Sequence, residues 1–542
     1  MLTPRMVRAV VPLVLLGVVV ALAACASQAD DPQVPGWVRT LIHPTRADDE
    51  QVAQQIQARL QSAAAPKGSG EAPRIEKALG RFYFERGFRP AWSGGGRLVK
   101  AVPALLEELG NAGQHGLDPI EYEADRLAVE RLALNEIRDP ALIEARLADL
   151  DIDLSRALLR YTGHLSAGRL DPRRIGLKWY AEDERADPAQ ALAAVVESGN
   201  VKQALAAIAP EPAGYARLRD ALVRYRELAA AALPPPDPAS EPALREHLVL
   251  LGDLRAADAP LDSGLRSFQL RHGLEPTGKL DKATRAALAV PLAERVRALE
   301  LNLERWRWLP SSIGERYLMV NIPDFGLQVV ERERPVLAMK VVVGKTVSQT
   351  PVMSDLMTTL VMNPYWNVPE SIAANEILPE QAKDPTYLQR HNMEVVTQDG
   401  VSRIRQRPGP GNALGDYKFV FPNHLNVYLH DTPADKLFER NERDFSHGCV
   451  RVERPAELAE YVLRGNAEWS TERVEKTLAD GREVHVALEQ PLPVYIVYFT
   501  SWVDEEGRVH FRDDVYGQDE KLGAAFAERR RAHRAPAAVA AR

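Results

Sequence analysis

The chain has 542 residues, more than one hydrophobic core can hold, and length alone predicts roughly three or four domains. Its 68 Lys and Arg against 75 Asp and Glu leave a net charge of −7, so nothing in the charge balance argues for a nucleic-acid partner. A polymer substrate carrying both carboxylates and amines stays compatible with this mixture.

At the N-terminus, Arg5 and Arg8 precede an apolar run from Ala9 to Ala24, the layout of a secretory signal that would occupy residues 1–25. The run is shorter than the ~20 residues a membrane span requires. Its end, Leu22-Ala23-Ala24-Cys25, resembles the bacterial lipobox, which implies lipidation of Cys25 and a membrane anchor; an uncleaved anchor is the alternative. Ala26, rather than Asp, follows the Cys and resembles the outer-membrane sorting class of a cell with two membranes. With Cys25 assigned to lipid, Cys449 stands as a lone thiol in an exported protein, the setting in which a reactive role is expected.

Residues 26–70 are polar and end in an Ala, Pro, Ser and Gly run, as a flexible tether does. From 71 to 231, apolar residues recur at three- and four-residue spacing and predict a helical scaffold, with Gly116 and Pro119 at helix boundaries. Residues 233–238, Leu-Pro-Pro-Pro-Asp-Pro, form a stiff hinge. The stretch 242–290, carrying Leu265, Phe268, Leu274, Leu280, Thr284 and Leu288, reads as a small helical bundle, and a connecting helix follows over 292–310, closed by Pro310. Residues 317–516 change to short runs such as Tyr317-Leu318-Met319-Val320-Asn321-Ile322, which predict a mostly β domain with a helical insertion at about 366–405. Residues 527–542 read as a disordered tail. The expected fold class is multidomain α+β.

Two stretches bring reactive side chains into the β domain: Val427-Tyr428-Leu429-His430-Asp431 and Ser446-His447-Gly448-Cys449-Val450-Arg451. A thiol attacks a carbonyl as thiolate, so it needs a neighbouring base or positive field, and His430 and His447 both offer one. Gly448 lets the backbone turn tightly enough for nearby amides to face a developing oxyanion. Tyr428, two positions before His430, shares its strand face. Arg403, Arg405 and Arg407 alternate along a strand, either meeting carboxylates or lining a solvated face.

His430, followed after a loop by Ser446-His447-Gly448-Cys449, resembles the signature of the L,D-transpeptidase catalytic domain. Upstream, Phe82-Tyr83, Arg86 to Trp92 and Gly116 to Pro119 resemble the helical scaffold domain of the large subgroup of that family, and Leu265 to Leu288 resembles its peptidoglycan-binding domain. The likeness runs from about Glu71 to Tyr516. It implies that Cys449 is the nucleophile and His430 the proton acceptor and donor, with His447 and Gly448 shaping the loop and oxyanion site. It implies no metal or other cofactor.

The resemblance also implies the reaction. Cys449 would take the acyl group of a donor tetrapeptide stem, release D-Ala, and pass it to an amine of a neighbouring stem as a 3→3 cross-link, at the periplasmic face of the cell envelope. Hydrolysis or attachment of stems to a protein uses the same thioester, and a non-catalytic wall-binding lipoprotein is the reading from another class. Carbapenem-type β-lactams are expected to acylate the same thiol. Arg451 stands where many members have Asn, and either binds a stem carboxylate or pairs with Glu453. Trp366 either walls the groove beside Tyr428 or packs in the core. The 242–290 module either binds wall polymer or braces the catalytic domain.

Overall fold

A computed structural model describes residues 48–534 other than 63–67, 69, 182–186, 232–234, 238 and 399. The expected signal, Cys25, half of the Pro-rich hinge (233, 234 and 238) and the last eight positions lie outside the described residues. None of the described helices is long and apolar enough to cross a membrane.

The chain forms two compact units. The first is helical, with the segments Asp49–Ser62, Glu71–Glu85, Val102–Gly110, Ala124–Ala133, most of Pro140–Ala167, Pro188–Ser198 and Val201–Ala206, plus a two-stranded hairpin of β1 (Ser93–Gly94) and β2 (Arg97–Leu98). Its centre is polar as well as apolar. Asp151, fully buried, accepts from the Tyr83 hydroxyl (2.8 Å), the amides of Ala91 (2.7 Å) and Trp92 (2.9 Å) and the Ser93 hydroxyl (3.1 Å). Four donors offset the cost of burying one carboxylate, which explains why Tyr83 and the turn ending in Trp92 stand out in the sequence. The expected tether contains a helix: Val52 and Ile56, four residues apart, are buried on one face, and Arg59 meets Asp149 at 2.6 Å.

The second unit holds the small bundle and the β domain. In the bundle, Glu241–Leu251, Leu261–Arg271 and Lys282–Leu288 surround Leu244, Leu248, Leu265 and Phe268. Gln269 is fully buried because its amide bonds Thr277 (3.1 Å), Lys279 O (2.8 Å), Thr284 (2.9 Å) and the Gly278 amide (2.8 Å), so the Gln and the Thr-Gly turn are one feature. The helix Leu292–Trp306 leads into the β domain.

That domain consists of β3 (Arg316–Asn321), β4 (Gly326–Glu331), β5 (Arg334–Gly344), β6 (Met353–Met362), β7 (Trp366–Asn367), β8 (Met393–Gln398), β9 (Val401–Gln406), β10 (Tyr417–Val420), β11 (Leu429–His430), β12 (Asp444–Ser446), β13 (Val450–Val452), β14 (Val484–Val497), β15 (Ser501–Val503) and β16 (Val509–Phe511). Nine of them run in the order β12-β5-β13-β11-β10-β6-β14-β3-β4. The long β5 pairs through its first part with β4 and through its end with β13, closing the sheet on itself. Alternate residues such as Leu318, Val320, Leu327, Val329, Leu429 and Val450 are fully buried inside, each worth about 1.5–3 kcal/mol of burial. The insertion is helical over Glu370–Arg390 with interruptions, then adds the sheet β7-β9-β8 around its own core of Val368, Ile377 and Ile404.

The expected disordered tail is helical as far as Arg534, in a segment that begins at Gln518. Asp514 caps its start, accepting from the amides of Gln518 (2.7 Å) and Asp519 (2.8 Å), and Leu522 is fully buried.

Candidate active site

Strand register assembles the reactive residues. Lys418 of β10 lies opposite His430 of β11, and His430 lies opposite Arg451 of β13. Two residues back, just before β11 and β13 begin, stand Tyr428 and Cys449, with the Val450 amide donating to Tyr428 O at 3.2 Å. Because side chains alternate faces along a strand, Leu429 and Val450 enter the core while Tyr428, His430, Cys449 and Arg451 share the opposite face with Lys418.

His430 is buried, and its Nδ1 bonds the carbonyl of Asp431 at 2.5 Å. That bond fixes the tautomer with Nδ1 protonated and leaves Nε2 as the basic nitrogen. The group orienting the imidazole is therefore the Asp431 backbone; the Asp431 carboxylate instead accepts from the amides of Asp416 (2.8 Å) and Thr432 (2.6 Å). Burial first, and then the Arg451 and Lys418 charges, bring the imidazole down to about 3.

Cys449 is a free, partly exposed thiol whose Sγ–H points to Asn426 O at 3.7 Å. Burial pushes the thiol up, while hydrogen bonds from the Tyr428 amide and hydroxyl, and then the Lys418 and Arg451 charges, pull it back. Burial thus outweighs the favourable neighbours at Cys449, while at His430 burial and the Arg451 and Lys418 charges act against protonation. Tyr428 stays a phenol donor, since burial and the charge on Cys449 both oppose its ionisation. Its ring meets His430 edge-on at 5.7 Å and carries the Lys418 ammonium 4.0 Å from its centroid.

The nucleophile loop is pinned by hydroxyls. Ser446 Oγ donates to Cys449 O (2.5 Å) and accepts from the Gly448 amide (3.1 Å), so that amide is engaged within the loop rather than free to face an oxyanion. Gly448 has φ +122, a conformation that side chains disfavour. Thr350 Oγ1 donates to Gly448 O (2.9 Å) and accepts from the Gly344 amide (2.8 Å). At Gly344 a Cβ would stand 2.1 Å from Ser348 O, so only glycine admits this tight approach.

Of the remaining expected residues, His447 is exposed and its Nε2 meets Glu376 of the insertion at 2.7 Å. Arg451 does not pair with Glu453, whose carboxylate faces Lys340 (3.8 Å) and Arg454 (3.9 Å); the Arg451 Nε is buried without a hydrogen-bond partner. Trp366 packs against the insertion's own core. Arg405 and Arg407 both bind Glu394, at 3.0 and 2.8 Å through their Nε atoms. Sequence reasoning missed Lys418 and Glu376. Lys418 had a readable signal, a charged residue flanked by Tyr417 and Phe419 on a strand; Glu376 had none.

Three stretches of the chain match known families. Residues 315–486 match the family described as "L,D-transpeptidase catalytic domain", residues 77–222 match "Scaffold domain", and residues 255–288 match "Putative peptidoglycan binding domain". A Haemophilus influenzae protein named "Putative L,D-transpeptidase" is 33% identical over 244 residues, covering 42% of this chain and 49% of that protein. The chain thus matches about half the length of this relative. A solved structure titled "Structure of the Ldtfm-avibactam carbamoyl enzyme" aligns at 11% identity and TM-score 0.16, over 38% of this chain and 63% of that one, too weak a superposition to carry an argument.

Proposed function

We propose that this chain, a member of the L,D-transpeptidase family by its catalytic, scaffold and peptidoglycan-binding domains, forms 3→3 peptidoglycan cross-links through an acyl-enzyme on Cys449. The observation that carries the reading is the shared face of Tyr428, His430, Cys449 and Arg451, with the imidazole tied at Nδ1 and the thiol free.

In the first half-reaction the thiol proton passes to His430 Nε2 as Sγ attacks the donor carbonyl. The C–N bond then breaks, and the same proton leaves His430 for the amine of departing D-Ala. In the second half an amine of a neighbouring stem attacks the thioester, gives its proton to Nε2, and expels the thiolate, which is then reprotonated. A neutral imidazole suits both steps, because it accepts a proton at rest and, being buried, returns it readily. Arg451, with an unpartnered Nε, is positioned to meet a stem carboxylate. Lipidation of Cys25 would hold the enzyme at the envelope, a proposal supported by the sequence ending at that residue and tested by the mass of the mature N-terminal peptide.

Incubation with disaccharide tetrapeptide, read by mass spectrometry, tests the reaction. Dimer with loss of D-Ala is expected. Tripeptide alone would replace cross-linking by carboxypeptidase activity, and absence of turnover would overturn the enzymatic reading.

A further inference from the structure

A thiol whose ionisation its surroundings oppose leaves one requirement unmet: the sulfur becomes negative each time the thioester collapses, and again as it attacks. His430 cannot be a standing counter-charge, since two cations and its own burial hold it neutral. A fixed positive charge must come from elsewhere on the same face.

We propose that Lys418 is a positioning residue for Cys449, its ammonium seated on the Tyr428 ring so that the phenol hydroxyl becomes a stronger donor to the sulfur. The proposal deepens the reading of Cys449 as nucleophile and rests on it. Three placements support it. The register sets Lys418 directly opposite His430 on the neighbouring strand, on the face that holds the thiol. The ammonium lies 4.0 Å from the Tyr428 ring centroid, within the distance at which a cation is attracted by the ring. Tyr428 and Cys449 stand at the neighbouring ends of β11 and β13, where the Val450 amide donates to Tyr428 O at 3.2 Å, and Tyr428 is among the neighbours that draw the thiol back down. A cation on one face of a phenol draws electron density from the ring and makes its O–H more acidic, so the charge reaches the thiolate both through space and through Tyr428.

Other charges share the neighbourhood. Arg451 from β13 faces Cys449 and His430, and Glu483, just before β14, faces Lys418. The Glu483 carboxylate is occupied by the Tyr365 amide at 2.8 Å and by His485 at 3.4 Å. Burial draws the Lys418 ammonium down, while the Cys449 and Glu483 charges hold it up. Lys418 is thus kept charged most firmly when the sulfur is ionised, when the charge is needed.

The test is the pH dependence of iodoacetamide alkylation at Cys449 in the full chain, followed on the peptide that contains this residue so that Cys25 does not interfere. This readout needs no turnover, so it separates failure of the inference from failure of the transpeptidase reading. Lys418→Met, which keeps the apolar stem, should raise the alkylation midpoint by about one pH unit, a roughly tenfold loss of thiolate below the midpoint. Lys418→Arg should restore most of it. In a Tyr428→Phe background the Lys418→Met shift should shrink to less than half. Should Lys418→Met fail to fold, Lys418→Gln supplies the same comparison. An unchanged midpoint in the neutral variants, or an equal rise in Lys418→Arg, would overturn the proposal, and an undiminished shift with Phe at 428 would overturn the route through the phenol.

Discussion

Thr350→Val removes one hydroxyl and keeps the side chain's shape, so its effect can be worked from two contacts. Thr350 is 1% exposed, and its Oγ1 accepts from the Gly344 amide at 2.8 Å and donates to Gly448 O at 2.9 Å. The valine methyl can do neither. Each of the two orphaned backbone groups costs about 1–3 kcal/mol when buried, so the expected loss is about 2–6 kcal/mol. For a domain of this size that lowers the melting temperature by roughly 4–24 °C. The kinetic consequence should be larger than the thermal one, because Gly448 precedes the nucleophile and a displacement of about 1 Å there costs on the order of a hundredfold in rate. Calorimetry on the full chain, following the catalytic domain's transition, and Cys449 alkylation would measure both, with Thr350→Ser recovering most of each. A Thr350→Val protein that melts within about 1 °C of the parent and alkylates at the parent rate would refute the assignment of this hydroxyl as the loop's anchor.

His430 offers a pH test. Its imidazole falls from its ordinary value near 6.5 to about 3 on folding, so below 6.5 the unfolded chain binds more protons than the folded one. The stability gained by keeping it neutral is present above about pH 6.5 and is lost as pH falls toward 3; His430→Gln, which does not titrate, should flatten that part of a urea-denaturation series. The same variant should lose several orders of magnitude in acylation rate. Arg451→Met is expected to raise KM for a donor with free carboxylates by about tenfold or more while changing kcat less, and an amidated donor should narrow the gap. A carbapenem should leave one covalent adduct on the peptide spanning Ser446 to Arg451, absent from Cys449→Ala, because a strained lactam carbonyl meets the same sulfur; persistence of the adduct in that variant would disprove the route.

The class of fold, and the two stretches that carry His430 and Cys449 onto neighbouring strands, could be read from the sequence because each rests on local patterns: periodicity for the elements, and a short run with one intervening loop for the site. Partners set by chain path could not be read. The group that orients His430 is the Asp431 carbonyl, whose direction depends on the bend after β11, while the adjacent and more conspicuous carboxylate turns back to Asp416 and Thr432. Lys418 joins the site only through the pairing of β10 with β11, and Glu376 reaches His447 only because the insertion folds over the loop. The thiol's direction of shift could not be read either: burial outweighs the favourable neighbours, and burial is a property of the folded chain. The C-terminal helix had a legible signal that composition obscured, an acidic cap at Asp514 followed by Leu522 and Phe526 four residues apart.

Cys449 as the acyl carrier is tested most directly by weighing the enzyme during turnover. The parent chain is mixed with disaccharide tetrapeptide, quenched in acid within seconds, and digested. One adduct is predicted on the peptide containing Cys449, equal to the donor less D-Ala, disappearing when an acceptor amine is added and absent from a folded Cys449→Ala protein. Product formation with an unmodified Cys449, or an adduct carried by any other residue, would contradict it.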